Sequence, residues 1–358
     1  MKIALWRYGL PLQTDIESAV GGGTITSFVI KYLAELGDVF VVDQATKATA
    51  CSLKRPGSGI TAYIPSIPSI QDFDLAFIIT GPSNAMFPGY ERTYQLLSTY
   101  SGKAVYAQWD VALPFMFQPS PIKGKALPDP MLNKDWVLMT QVDERLVRAS
   151  KSKSSGYGEV NYTHCQCFFE LVELERHRQE VHLDPIPKVA YFGSDRPGRM
   201  KELTRWFKGT GIPVDIYGQW SRRSRVQLRA PNITFKGRVR EDAVASLLNK
   251  YLCTLYMTDP AYAKNDFVAE RFFENGRAGL PVLYSNFIQP SVKTTLEATG
   301  CSDLIVVSTV EFKEQFDGLL KLSSDARMAA VQRHWNMITN ITRFKQGITL
   351  KEAIRNLK

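Results

Sequence analysis

The stretch Lys188-Val189-Ala190-Tyr191-Phe192-Gly193-Ser194-Asp195-Arg196-Pro197-Gly198-Arg199 decides the fold. Val189–Phe192 is an unbroken apolar run of the length expected for a buried strand. Gly193 breaks it, and Met200–Lys208 follows as a helix. Strand, glycine loop and helix in that order open a βαβ unit, in which glycine lets the backbone approach a ligand closely. The helix offers its N-terminal amides. Arg196 and Arg199, three residues apart, can clamp a diphosphate. In the plainer reading the same two arginines are loop side chains in solvent.

The alternation continues on both sides of this stretch. Downstream, Val214–Tyr217, Ile233–Phe235, Cys253–Met257 and Val282–Tyr284 read as strands, with helices at Asp242–Asn249 and Phe267–Asn275. Upstream, Lys2–Tyr8, Val39–Val42, Asp74–Thr80, Val105–Asp110 and Val137–Gln141 are strands, with a helix after Gly21–Gly23 and another at Glu91–Tyr100. The pattern predicts an α/β protein of two Rossmann-like domains, each a parallel sheet covered by helices, with a site in the cleft between them. The prolines of Asp184-Pro185-Ile186-Pro187 divide the chain into residues 1–185 and 186–341. A C-terminal helix over about 342–358 is expected to pack back on the first domain. Ser150–Gly158, rich in Lys, Ser and Gly, reads as an exposed loop.

Bulk properties narrow the class. A chain of 358 residues exceeds the usual single domain. No apolar run reaches the ~18–20 residues of a membrane span. Met1-Lys2-Ile3-Ala4-Leu5-Trp6 enters a strand without the regions of a signal peptide, so a soluble, intracellular protein is expected. Five scattered cysteines do not form a disulfide framework. His164-Cys165-Gln166-Cys167 alternates as a strand does, with no second pair at zinc spacing, so no protein-held metal is expected. The net charge of +9 is concentrated: residues 195–240 hold twelve Lys/Arg against three Asp/Glu, and the rest balances. Such a block suits a polyanion (diphosphate, nucleic acid or anionic membrane) or is a solvated basic face.

Three further groups could carry chemistry. Gly21-Gly22-Gly23 lies between the first strand and helix, where anions meet helix N-termini, but it is not the G-x-G-x-x-G of dinucleotide binders and can be a bare turn. Arg271 and Glu274 fall on one face of a helix and could hold a nucleotide, the cation on phosphate and the carboxylate on two ribose hydroxyls; they could equally be an ion pair. Asp110 ends a strand at Gln108-Trp109-Asp110-Val111, at the edge that faces a ligand crevice. There it could be a general base, or it could cap the next turn.

In order and spacing these elements resemble the DNA β-glucosyltransferase family of T-even bacteriophages over nearly the whole chain. The likeness is clearest at Gly81–Gly89, Val105–Phe115, Tyr191–Gly218 and Phe235–Pro281. It implies the B-type glycosyltransferase fold, a UDP-sugar donor held by the second domain, and inverting transfer to a hydroxymethylated base, 5-hydroxymethylcytosine, flipped out of phage DNA in the host cytoplasm. By the same resemblance Asp110 is the catalytic base. Ser194, Arg196 and Arg199 (the loop is one residue shorter here), Gly237-Arg238-Val239, Asp259, Arg271 and Glu274 hold the donor. Ser83, Asn84, Met86 and Phe87 in Pro82–Gly89 face DNA, Met86-Phe87 as a wedge. By the same resemblance Gly22, Gly23 and Thr24 form the donor-sugar loop; the family carries an acidic residue near that sugar where this chain has Gly23-Thr24-Ile25-Thr26, which leaves glucose and a related sugar such as arabinose both open. Mg²⁺ or Mn²⁺ could ride on the diphosphate without dedicated protein ligands. Two rivals remain: a transferase of this fold acting on a lipid or polysaccharide, and a non-catalytic DNA-binding or UDP-sensing relative.

Overall fold

The computed structural model describes residues 1–7, 29–30, 32–42, 51–54, 61–64, 70–80, 100–108, 120–122, 125–127, 137–140, 161–167, 175, 178–193, 195, 197–239, 243–344 and 348–357. Two compact units partition the chain: Met1–Glu170 with Gly347–Lys358, and Leu171–Gln346.

The first unit is built on a nine-stranded sheet. Its strands are β1 (Lys2–Arg7), β2 (Asp38–Val42), β3 (Cys51–Lys54), β4 (Thr61–Ile64), β5 (Leu75–Thr80), β6 (Lys103–Gln108), β9 (Val137–Thr140), β10 (Asn161–Cys167) and β17 (Ile348–Thr349); β7 (Ser120–Ile122) and β8 (Lys125–Leu127) form a separate pair. The order is β17-β10-β9-β6-β5-β1-β2-β3-β4. From β17 to β2 every pairing is parallel, while β3 and β4 add an antiparallel edge that the apolar pattern does not signal. The central strands are apolar because both faces are covered: Ile3, Ala4, Leu5, Ala76, Phe77 and Ile78 are fully buried. Helical Val29, Ile30, Tyr32 and Leu33 are buried with them.

The second unit holds a six-stranded, wholly parallel sheet in the order β13-β12-β11-β14-β15-β16. These are β11 (Ile186–Phe192), β12 (Val214–Tyr217), β13 (Ile233–Gly237), β14 (Tyr251–Tyr256), β15 (Val282–Ser285) and β16 (Ile305–Val306). The helices are α1 (Pro197–Phe207), α2 (Arg222–Gln227), α3 (Val244–Leu248), α4 (Pro260–Lys264), α5 (Glu270–Arg277), α6 (Pro290–Ala298), α7 (Thr309–Leu320) and α8 (Ser324–Phe344); α9 (Leu350–Arg355) belongs to the first unit. The order reverses between β11 and β14, and in open α/β sheets ligands bind outside the strands' carboxyl ends at that reversal. Trp206, Phe207, Leu203, Val214, Ile216, Leu255 and Phe312 form the core on one side of the sheet. The residues expected as helix from 267 begin the helix only at Glu270, because Asp266, with φ of 48°, turns the chain first and caps α6 through Ser291 N and Oγ at 2.9 and 2.7 Å.

Buried Arg327 on α8 fastens that helix to the sheet. It donates to the carbonyls of His182 (2.9 Å), Leu252 (3.1 Å) and Tyr251 (2.9 Å). Replacing it with Met keeps the stem's packing and strips three acceptors of their donor, so urea unfolding should show a loss of about 2 kcal/mol. No helix among the described residues is long and apolar enough to cross a membrane.

Candidate functional site

The carboxyl ends of β11, β12 and β13 are locked by backbone hydrogen bonds that the glycines after β11 and β12 donate. Gly193 N–H donates to Tyr217 O at 3.0 Å, and Gly218 N–H donates to Gly237 O at 2.7 Å. A Cβ at Gly218, whose φ is 120°, would lie 1.8 Å from Gly193 O, so only glycine lets the strands close up there. The Gly193–Arg199 loop and the Gly237-Arg238-Val239 turn therefore leave the sheet side by side. Arg238 is exposed, and Val239 packs on the small core around Ala190 and Val244.

Asp195 anchors the loop. It accepts from Ser221 N at 3.1 Å and from Ser224 Oγ at 2.7 Å, fixing the start of α2. Burial pushes its carboxyl up, but the hydrogen bonds from Ser221 and Ser224 outweigh that and hold it below the usual range. Pro197 opens α1 at a position where its missing N–H costs nothing. Half-buried Arg199 follows in the first turn, where there is no acidic residue to oppose an anion.

From the other side of the reversal comes α5. Arg271 lies against the end of β11: its Nη1 donates to Tyr191 Oη at 3.0 Å, and the guanidinium stands 5.3 Å over the Tyr191 ring and 5.9 Å from that of Phe192. The guanidinium presses on Gly193, where a Cβ would sit 2.9 and 3.0 Å from its two terminal nitrogens. Gly193→Ala is thus expected to push Arg271 off its seat while the fold survives, seen as a displaced guanidinium in a crystal structure of the variant and a melting temperature within a few degrees of the wild type.

One turn on, Glu274 is 5 % exposed and Arg277 is 8 % exposed. Burial drives the Glu274 carboxyl above its ordinary range, against the opposing pull of Arg277 and then Arg271. The plain ion pair that the i,i+3 spacing allowed does not form, since Arg271 turns to Tyr191 instead. Among the described residues no side chain donates to the Glu274 carboxylate, and Nε of Arg271, Nε of Arg277 and Nδ2 of Asn275 find no acceptor. Buried polar groups left in this state are rare and call for an explanation. Asp259, half-buried, follows β14; its carbonyl accepts from Tyr262 N and Ala263 N as α4 begins. Behind it, fully buried Gln289 joins Tyr256, Thr258 and the Phe267 carbonyl into one network.

Of the residues expected in the site, the structure brings Arg199, Gly237, Arg238, Val239, Asp259, Arg271 and Glu274 to one edge of one sheet. Asp110, Ser194, Arg196, Gly22, Gly23, Thr24, Ser83, Asn84, Met86 and Phe87 lie outside the described residues, as do the Ser150–Gly158 loop and all but the last residue of the Glu91–Tyr100 helix. Tyr191, Asn275 and Arg277 escaped the sequence reading. Tyr191 stood inside the opening motif as one more apolar residue, and Arg277 merely extends the Arg271–Glu274 spacing by three.

Two sheets of mainly parallel strands with helices, and the likeness to the solved structures that follow, give the chain the B-type glycosyltransferase fold. Among solved structures the chain resembles the DNA-modifying enzyme beta-glucosyltransferase, determined in the presence and absence of its substrate uridine diphosphoglucose, at TM-score 0.69 and 16% identity over 100% of this chain and 98% of that one. T4 phage beta-glucosyltransferase in complex with its UDP-glucose substrate gives 0.68 and 18% over the same shares. Sucrose-phosphate synthase from Thermosynechococcus elongatus matches more distantly, at 0.53 and 13% over 95% and 94%. No protein-family model and no curated protein sequence matches the chain.

Proposed function

We propose that the chain is an inverting glycosyltransferase that moves a sugar from a UDP-sugar to the hydroxymethyl group of a modified base, 5-hydroxymethylcytosine, in double-stranded phage DNA. The observation that carries the donor half of this reading is the α5 stripe. A guanidinium held ready at the glycine end of β11 and a buried carboxylate with unfilled acceptor sites stand one helical turn apart at the sheet's reversal. A nucleoside diphosphate supplies what both lack: phosphate oxygens for Arg271, and two vicinal ribose hydroxyls that donate to Glu274. The fold shared with an enzyme solved with UDP-glucose supports the same donor.

Arg196 and Arg199 join Arg271 on the diphosphate and stabilise the charge that grows on the leaving UDP, since preorganised donors aimed at developing charge lower a barrier most. Gly237-Arg238-Val239 presents backbone groups to uracil. Asp259 and the Gly22-Gly23-Thr24 loop border the sugar. Asp110 takes the proton from the acceptor hydroxymethyl group as its oxygen attacks the anomeric carbon and the bond to UDP breaks. Ser83, Asn84, Met86 and Phe87 hold the DNA with its target base extruded. One T4 phage structure contains UDP and Mn²⁺. Among the described residues there is no group of three or more His, Cys, Asp or Glu that could hold a metal ion.

The test is a panel of UDP-glucose, UDP-arabinose, UDP-galactose and UDP-N-acetylglucosamine against duplexes carrying cytosine, 5-hydroxymethylcytosine or 5-hydroxymethyluracil, read by nucleoside mass spectrometry. A sugar-sized gain on 5-hydroxymethylcytosine alone is the expected result. No gain on any duplex, with UDP still bound, would sink the DNA acceptor and leave the donor site standing.

A further inference from the structure

The α2 helix carries a charge that no acid among the described residues answers. Arg222, Arg223, Arg225 and the following Arg229 are all exposed. The basic segment contains three acids, and each is engaged elsewhere. Asp195 is taken by Ser221 and Ser224, Glu202 by Trp206 and Arg205, and buried Asp215 by Lys188 and Lys236. Among the described residues none of the four arginines has an ion-pair partner. Like charges one turn apart on a helix repel, so α2 holds its arginines at a small cost to stability.

The helix is held stiffly all the same. Six residues do not form a stable helix unaided. Ser221 caps it, Ser224 and Leu228 are buried beneath it, Lys208 Nζ donates to Gln227 O at 2.8 Å, and Arg225 lies over the Phe235 ring at 5.9 Å. Its first turn begins just beyond the carboxyl end of β12, on the edge where the Gly193–Arg199 loop emerges, and Asp195 ties the two together.

We infer that α2 is a docking surface for the phosphate backbone of duplex DNA beside the donor loop, an inference that rests on the DNA acceptor proposed above. Guanidinium forks match phosphate oxygens two at a time, and a duplex offers a charge every ~1.7 Å of axis. An anionic membrane fits less well: the inner face of α2 is spent on the core and Val226 is its one outward apolar side chain, so no apolar face is left to enter lipid.

The test compares the full chain with its Arg222→Gln/Arg223→Gln/Arg225→Gln variant, using anisotropy of a fluorescein-labelled, unmodified duplex across a KCl series. The variant should bind about tenfold more weakly, with a log–log salt slope shallower by about two to three. Its UDP affinity by calorimetry should be unchanged, which also reports that it folds. The matching triple Lys variant should recover most of the slope, because the slope counts charges. Equal slope and affinity in the Gln variant would overturn the surface alone. A wild-type chain that binds no duplex overturns the DNA acceptor reading and this surface with it. Binding to phosphatidylserine vesicles through these arginines, without duplex binding, would assign the patch to a membrane instead.

Discussion

Asp110→Ala is expected to slow sugar transfer by roughly 10²- to 10⁴-fold and to leave UDP affinity where it was, since a positioned general base contributes on that scale. The expectation starts from β6, which runs parallel between β5 and β9 and ends at Gln108, two residues before the carboxylate. An aspartate just past the carboxyl end of an interior parallel strand stands where α/β sheets present groups to ligands. A hydroxymethyl group is a weak nucleophile at neutral pH, and attack on an anomeric carbon needs its proton removed as the bond forms. Asp110→Asn keeps the shape and loses the basicity, so it should fall with Ala. Single-turnover transfer on a hydroxymethylated duplex, paired with UDP calorimetry, separates the alternatives. Near-normal turnover in either variant would move the base elsewhere. Loss of UDP binding would place Asp110 with the donor.

The strands were legible for a physical reason. In a sheet covered on both faces each strand is a short, continuous apolar run, and β11, β12, β14 and β15 stand out between glycines and polar loops. The β3–β4 edge hairpin was not, because edge residues such as Ser52, Lys54 and Thr61 carry no such run. Nor was α2, where only Ser224 and Leu228 are buried beneath a surface of arginines, too few for helical periodicity to register. In the site, the spacing of Arg271 and Glu274 announced a shared helix face. What they touch was hidden. Arg271 meets Tyr191, eighty residues upstream, through the pairing of β11 with β14, and the depth of Glu274 depends on elements that no local pattern encodes. Asp195, to which the loop's sequence assigns no role, spends its carboxylate on Ser221 and Ser224.

Glu274→Gln is expected to move stability and function in opposite directions. Burial raises the Glu274 carboxyl's pKa in the folded chain despite Arg277 and Arg271, so the fold favours the neutral form. The stability this confers is complete below the unfolded-state pKa and is lost as pH rises through the folded one. A glutamine stays neutral throughout, so at neutral pH the ligand-free variant should gain about 1 kcal/mol and melt a few degrees higher. Ribose hydroxyls donating to the carboxylate favour its ionised form, so wild-type UDP affinity should decline as pH falls through the folded pKa, with proton release on binding in that range. The amide cannot accept two strong, charge-assisted bonds. The variant should therefore bind UDP about 10²-fold more weakly at neutral pH and lose that acid limb, because hydrogen bonds to a charged group are worth ~1.5–3 kcal/mol each. Calorimetry across pH with melting curves on ligand-free protein reads both. Unchanged UDP affinity would remove Glu274 from the ribose. A lower melting temperature would mean that the two arginines hold the carboxylate ionised, and the reciprocal prediction for pH would fall with it.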